Sequence, residues 1–202
     1  MTAYLSHGSI GINTMPQKSK TKNHWLQVAA VRVTRIHFLY ILAYILATII
    51  FDSWNLYTHE AVAQLWTAAG VLLGLNTILW FMARQNYANQ SLYVFNVLAL
   101  LLADIVFATY NVYWQQGLAS KSVLLFTVPI VTAAVLRSRS ILFATTTLSA
   151  AAYSTISVRY FFDNYGLSYR VELWGTIGLY SVVFFILALL LMVIIKPTNE
   201  KF

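Results

Sequence analysis

The chain has 202 residues, of which 59% are hydrophobic and only 9% are charged, against about 25% charged residues in an ordinary soluble domain. Its mean hydropathy is +0.68, more apolar surface than a water-soluble fold of this length could bury. The formal net charge is +7 and there is no cysteine, which excludes disulfides, thiolate nucleophiles and cysteine-bound metals. No nucleic-acid partner is predicted, because membrane topology accounts for the basic residues.

The polar, lysine-rich start of the sequence predicts a disordered cytoplasmic leader over residues 1–30. Residues 31–202 contain successive apolar runs, each near the roughly 20 residues that one helical crossing of a bilayer requires. The predicted helices cover 33–54, 61–83, 91–115, 120–136, 140–162 and 171–195. We therefore predict an all-α, polytopic membrane protein with six transmembrane helices.

The distribution of lysine and arginine predicts the orientation of these helices. With the N-terminus inside, all of the 13 basic residues except Lys121, Arg159 and Arg170 fall on the cytoplasmic side. Cytoplasmic segments of membrane proteins carry such an excess, and only an even number of crossings preserves it here. Both termini are accordingly predicted to be cytoplasmic, in a multi-pass protein of the bacterial inner membrane.

The third predicted helix carries a polar stripe that includes an acidic residue at membrane depth. Helical spacing puts Asn96, Asp104 and Asn111 on one face, which must contact protein or water rather than lipid. An ionisable residue inside a membrane is a functional candidate by default. Asp104 therefore suits a proton-coupled or quinone-contacting role, with a hydrogen-bonded packing residue as the alternative. Its expected partners are Asn76, Tyr40 or Tyr44, or the hydroxyl groups of helix five.

Other candidate sites are interpreted structurally. His37 stands alone near the cytoplasmic end of helix one and is predicted to be interfacial, and no pair of histidines has the spacing of a metal site on a helix. No catalytic or metal-binding residues are predicted. Helix five is rich in small and hydroxyl-bearing residues between Thr145 and Thr155, which favour close helix contact. It is expected to be the central packing element of the bundle.

A family resemblance lies between Leu101 and Tyr153. It consists of an aspartate in helix three, an aromatic outer end, a glycine-containing turn and a later proline followed by small residues; the matching positions are Asp104, Tyr113, Trp114, Gly117, Ser120, Pro129, Ile130, Ala133 and Ala134. This arrangement resembles the six-helix N-terminal sensor region of bacterial membrane histidine kinases, including redox-sensing members that contact quinone. Gln116, Lys121 and Ser122 depart from the turn sequence of that family.

The resemblance implies a sensory, signal-transducing module without enzymatic activity. The sequence does not extend to the phosphotransfer and ATP-binding domains of a kinase, so the module is expected to be either detached from its kinase or a stand-alone relative that works through a partner. A ligand pocket in the outer half is expected from Asp104, Asn111, Gly117, Ser120 and Pro129, with Asn96 on the same helix. The expected partners are the lipid bilayer, a kinase or other signalling protein, a quinone or lipid ligand, and a second copy of the chain; no cofactor is identified.

A small transporter or channel subunit is the rival hypothesis. In that case Asp104 would be an intramembrane site for a proton or another cation. Such proteins often contain internal repeats with paired broken helices, and no internal repeat is apparent in this sequence.

Overall fold

A computed structural model describes residues 18–115, 117, 120–164 and 170–195 of the chain. Over these residues the chain is all-helical, with the long helices α1 (Lys18–Ser53), α2 (His59–Arg84), α3 (Ser91–Trp114), α5 (Arg139–Asn164) and α6 (Arg170–Ile194) and the short helix α4 (Thr127–Ala134). The five long helices are each long and apolar enough to cross a membrane, as expected of a multi-pass membrane protein. The all-α fold class is thus confirmed.

Helix α1 begins at Lys18, well before the predicted start at residue 33. Leu26 and Ala30 are buried in this N-terminal extension and belong to the same apolar cluster as Ala83 and Tyr93. The prediction missed the extension because residues 18–24 are all polar and Arg32 interrupts the apolar residues that follow them, so the long apolar run begins only at residue 33. Residues 18–30 of the predicted leader are therefore helical; residues 1–17 lie outside the described part, where disorder stays a prediction.

The fourth predicted helix is divided and short. Its first half is a 3₁₀-helix, Lys121–Phe126, which continues directly into α4. The change occurs just before Pro129, whose ring would clash with the carbonyl group four residues earlier if the preceding turn were α-helical. With rises of about 2.0 Å per 3₁₀ residue and 1.5 Å per α residue, the whole element spans about 24 Å.

Helix α3, and not α5, is the central packing element. It packs against α1, α2, α4, α5 and the 3₁₀-helix, whereas the main contacts of α5 are with α3, α4, α6 and the 3₁₀-helix. Half of the most apolar 18-residue stretch of α3 is buried, the largest share among the five long helices. The prediction for α5 was wrong because small residues allow close contact but do not attract neighbours, whereas the polar stripe of α3 has to be covered by protein.

Contacts that α1 makes near its two ends mark the two ends of the bundle. At one end, the Arg137 guanidinium lies 5.0 Å from the Trp25 ring of α1, and the Gln27 side-chain amide donates to the carbonyl oxygen of Gln85, 3.3 Å away. At the other end, the Lys121 ammonium lies 5.5 Å from the Phe51 ring. The segment 121–137 therefore runs from one end of the bundle to the other.

Candidate functional site

The most unusual contact in the bundle joins α1 to α3 through two ionisable side chains. Nε2 of His37 lies 2.8 Å from Oδ2 of Asp104, and the side chains are only 4% and 0% exposed. His37 is thus a buried partner of the aspartate, and the prediction of an interfacial histidine was wrong. None of the partners expected for Asp104 from the sequence is the residue that bonds it here.

The second ring nitrogen of His37 determines how many protons this contact must contain. Nδ1 lies 3.0 Å from the carbonyl oxygen of Val33, one turn earlier in α1. A carbonyl oxygen only accepts hydrogen bonds, so Nδ1 must carry a hydrogen. Nε2 then either accepts a hydrogen from a protonated Asp104 or carries a second hydrogen that it donates to the carboxylate. In both cases one proton lies between Nε2 and Oδ2.

Loss of that proton would remove one of the two hydrogen bonds of the His37 ring. A neutral imidazole with its hydrogen on Nδ1 would turn the lone pair of Nε2 toward an ionised carboxylate, so two acceptors would face each other at 2.8 Å. The other carboxyl oxygen, Oδ1, is buried without a hydrogen-bond partner among the described residues. With that tautomer, an ionised Asp104 would have no cation and no donor among the described residues, in an apolar interior where an unpaired charge is very costly. The other tautomer, with the hydrogen on Nε2, would keep the bond to the carboxylate but turn the lone pair of Nδ1 toward the carbonyl oxygen of Val33.

Aromatic residues enclose the contact on the side toward Asn111. The Tyr40 ring packs edge-on against His37, with 5.9 Å between the ring centroids, and Tyr40 and Tyr44 both contact Phe107. The Tyr44 hydroxyl donates to Oδ1 of Asn111 at 2.5 Å, a second polar bond between α1 and α3. The Tyr40 hydroxyl is buried and has no hydrogen-bond partner in the described part of the chain.

Two asparagine amides continue the polar contacts to α2. Nδ2 of Asn76 donates to the carbonyl oxygen of Thr34 on α1, at 3.1 Å. Nδ2 of Asn96 donates to the carbonyl oxygen of Leu79 on α2, at 2.8 Å. The polar stripe of α3 therefore faces protein, as predicted, and the first three helices are held together by side-chain hydrogen bonds at several depths.

The six predicted ligand-binding residues have two kinds of contact. Asp104, Asn111 and Asn96 bond to α1 and α2, as described above. Gly117 and Ser120 lie in the turn between α3 and the 3₁₀-helix, where Oγ of Ser120 accepts from the backbone N–H of Ser122 at 3.0 Å and caps that helix. Pro129 is buried in the first turn of α4.

Gly117 has a role in packing. Its φ of 59° lies in the left-handed region, and an added Cβ would overlap the Tyr160 ring of α5, whose Cγ would lie 2.6 Å away. Only a residue without a side chain allows this close approach in this backbone conformation. The geometry of Gly117, Ser120 and Pro129 is thus explained by the turn and the divided helix that follows it.

The sequence contains a signal for His37 that counting histidines does not reveal. Thr34, His37, Tyr44 and Thr48 are all buried, and their spacing puts them along one side of α1. This stripe matches the stripe of α3, and two polar stripes in adjacent membrane helices are expected to face each other. Comparing stripes between helices would have indicated that the side of α1 with His37 faces the side of α3 with Asp104.

Metal chemistry finds no donor set in the described ranges. No group of three or more histidine, cysteine, aspartate or glutamate side chains that could hold a metal ion occurs among the residues searched. The His37–Asp104 contact supplies two ligand atoms at most. The two side chains of this contact can hold, release or transfer a proton, and they can couple that event to the packing of α1 against α3.

No protein-family model, curated protein or solved structure matches the chain. The resemblance to kinase sensor regions consequently stays a prediction from the sequence.

Proposed function

We propose that the chain is a membrane-embedded sensory module that transmits a signal by changing the packing of its helices, without enzymatic activity of its own. The observation that carries this proposal is the buried contact between His37 and Asp104, which requires one shared proton. With the proton present, α1 and α3 are bonded at this depth. Without it, one ring nitrogen of His37 faces an acceptor in either tautomer, namely Oδ2 of Asp104 or the carbonyl oxygen of Val33, and a second packing of the bundle is favoured.

The N-terminal extension of α1 offers a route by which such a change reaches the aqueous phase. Trp25 and Gln27 contact the α4–α5 turn and the α2–α3 loop at the end of the bundle that is predicted to be cytoplasmic. A movement of α1 would alter these contacts, since the helix is continuous from Lys18 to Ser53. A histidine kinase or another signalling protein at this surface would be the partner, with homodimerisation as in the family that the sequence resembles.

Two substitutions of Asp104 should fix the module in opposite states. Asp104→Asn keeps the size of the side chain, and its amide can donate to a neutral Nε2 of His37 or accept from a protonated one, so the contact persists at every pH. Asp104→Leu removes the contact at every pH. The wild-type protein should resemble the asparagine variant at low pH, where the shared proton is bound, and the leucine variant at high pH.

Distance measurements between spin labels test these states directly. The chain has no native cysteine, so Leu39→Cys and Phe95→Cys provide unique labelling sites on α1 and α3, at side chains that are 66% and 61% exposed. In nanodiscs, the wild-type distance distribution should change with pH, while both Asp104 variants keep a single, different distribution. A wild-type distribution that stays constant wherever the protein is folded would refute the proposal.

We further propose six crossings of the bacterial inner membrane, with both termini in the cytoplasm. Support comes from the segment 121–137, which joins opposite ends of the bundle through Lys121 and Arg137. Its helical part, about 24 Å long, is shorter than a hydrocarbon core of about 30 Å, but it packs against α3, α5 and α6. A phosphatase reporter fused after Phe202 should be inactive and a fluorescent reporter active; the reverse pattern would overturn this topology.

Proton transport is the second candidate function, and the same contact favours it. Two buried ionisable groups that share a proton can pass it on if each becomes accessible to water from one side. Proteoliposomes that contain a trapped pH indicator distinguish the two functions. A sensor should show no flux above empty vesicles, whereas robust flux that Asp104→Asn abolishes would establish transport in its place.

A further inference from the structure

A groove with a volume of about 530 Å³ runs along the outside of the bundle between α3 and α5. Its walls are apolar over most of their length and include Leu102, Val106 and Ile105 from α3 and Leu148, Ala152 and Ile156 from α5. The groove is separate from the His37–Asp104 contact, which lies on the opposite side of α3 against α1. In a membrane this groove faces lipid, because it opens on the outside of the bundle between two helices that are long enough to span.

The length of the groove corresponds to one leaflet. Its α3 wall extends from Leu102 to Trp114, which at 1.5 Å per residue is about 18 Å. Half of a hydrocarbon core of about 30 Å is about 15 Å. An acyl chain lying in the groove would therefore extend from near the middle of the bilayer to its surface.

The surface end of the groove carries a cation within an aromatic group. The Arg159 guanidinium lies 5.9 Å from the ring of Tyr113, and Trp114 lines the groove beside it. The side chain of Arg159 is 72% exposed, and its ion pair with Asp163 is long, with 3.8 Å between Nε and Oδ2. An exposed pair of this kind contributes little, so the other guanidinium nitrogens can bind a phosphate, for which their planar arrangement is well suited.

We propose that this groove binds one acyl chain of an anionic phospholipid, with the lipid phosphate at Arg159. The occupant follows from charge and length together: apolar walls as long as a leaflet fit an acyl chain, and a cation at headgroup depth favours an anionic headgroup. The aromatic rings of Tyr113 and Trp114 lie at the same depth, where amphipathic rings are preferred. The site does not depend on the proposed sensory function.

Native mass spectrometry of the detergent-solubilised chain tests the proposal. Phosphatidylglycerol and phosphatidylcholine with identical acyl chains are compared as the first bound lipid. The wild-type protein should prefer the anionic lipid by about fivefold, the factor that one basic residue contributes near an anionic surface. Arg159→Gln should abolish the preference, and Asp163→Asn should increase it by removing a competing negative charge. Equal binding of the two lipids by the wild-type protein would overturn the proposal.

Two further variants and a competitor separate the parts of the site. Ile156→Trp fills the groove and should reduce binding of both lipids, while Arg139→Gln, an exposed arginine at the other end of α5, should leave the preference unchanged. Soluble glycerol phosphate should not compete. Competition by it at concentrations similar to those of the lipid, or undiminished lipid binding by Ile156→Trp, would mean that Arg159 binds a free anion and that the groove has no part in recognition.

Discussion

Removing one side chain of the His37–Asp104 contact should destabilise the protein far more than removing both. His37→Leu leaves Asp104 buried with no partner from the described chain, because Oδ1 has none and Oδ2 bonds only His37. A buried ionisable pair that loses one partner costs about 3–5 kcal/mol of unfolding free energy. Asp104→Leu leaves Nε2 of His37 unsatisfied, at a cost of about 1–3 kcal/mol.

The double variant His37→Leu/Asp104→Leu should recover most of this loss, since two apolar side chains replace two polar ones at the same interface. We expect an interaction energy above about 2 kcal/mol from the double-mutant cycle. Ordinary hydrogen bonds between membrane helices give about 0.6 kcal/mol on average and at most about 1.7 kcal/mol. The larger value is expected because both side chains are almost completely buried, at 4% and 0% exposure, and solvent does not screen them.

The assay is reversible unfolding in mixed micelles, with the mole fraction of dodecyl sulfate raised and helix content followed by circular dichroism. A cycle between Leu39→Ala and Phe95→Ala, two lipid-facing residues, provides a control whose interaction energy should be near zero. An interaction energy for His37 and Asp104 at or below about 0.6 kcal/mol would show that the contact is no more than a packing hydrogen bond. In that case the shared proton could no longer be the basis of the proposed function.

Two further pairs of variants test the packing assigned to single residues. Gly117→Ala should lower the unfolding free energy by more than about 1–2 kcal/mol, because the left-handed backbone alone costs that much and the new methyl group also overlaps Tyr160. Gly74→Ala is the control and should not lower it, because there is open space around Gly74. Equal effects of the two substitutions in the same unfolding assay would contradict this assignment. Tyr44→Phe should cost about 1 kcal/mol, because Asn111 loses its hydroxyl donor, whereas Tyr40→Phe should be neutral or stabilising, because that hydroxyl is buried without a partner in the described residues. Destabilisation by Tyr40→Phe would indicate that its hydroxyl is satisfied.

The helices could be predicted from sequence because each one is a local pattern. Apolar runs of bilayer length predict α2, α3, α5 and α6 to within two residues at each end, and a lipid environment leaves the backbone few alternatives to a helix. The start of α1 was missed because residues 18–24 are all polar and Arg32 interrupts the apolar residues that follow them. The division of the fourth helix could not be predicted, since the 3₁₀ turn before Pro129 depends on the Ser120 cap and on packing against α3.

The candidate site could be predicted only in part. Asp104 stands out because a carboxyl group inside a membrane is costly, and the stripe with Asn96 and Asn111 follows from helical spacing. His37 is 67 residues away in sequence, and its pairing with Asp104 depends on the rotation and height of α1 relative to α3. The partners of Gly117 and Arg159 likewise depend on how α3 and α5 lie side by side.

Sequence alone thus determined that the chain is helical, that it belongs in a membrane and which residues are costly there, because hydrophobicity and helical periodicity act over single segments. Tertiary structure decided which helix is central, which residue contacts Asp104 and where a groove opens toward lipid. Those features arise from contacts between segments, whose relative rotation and depth are set by the packing of all the helices together.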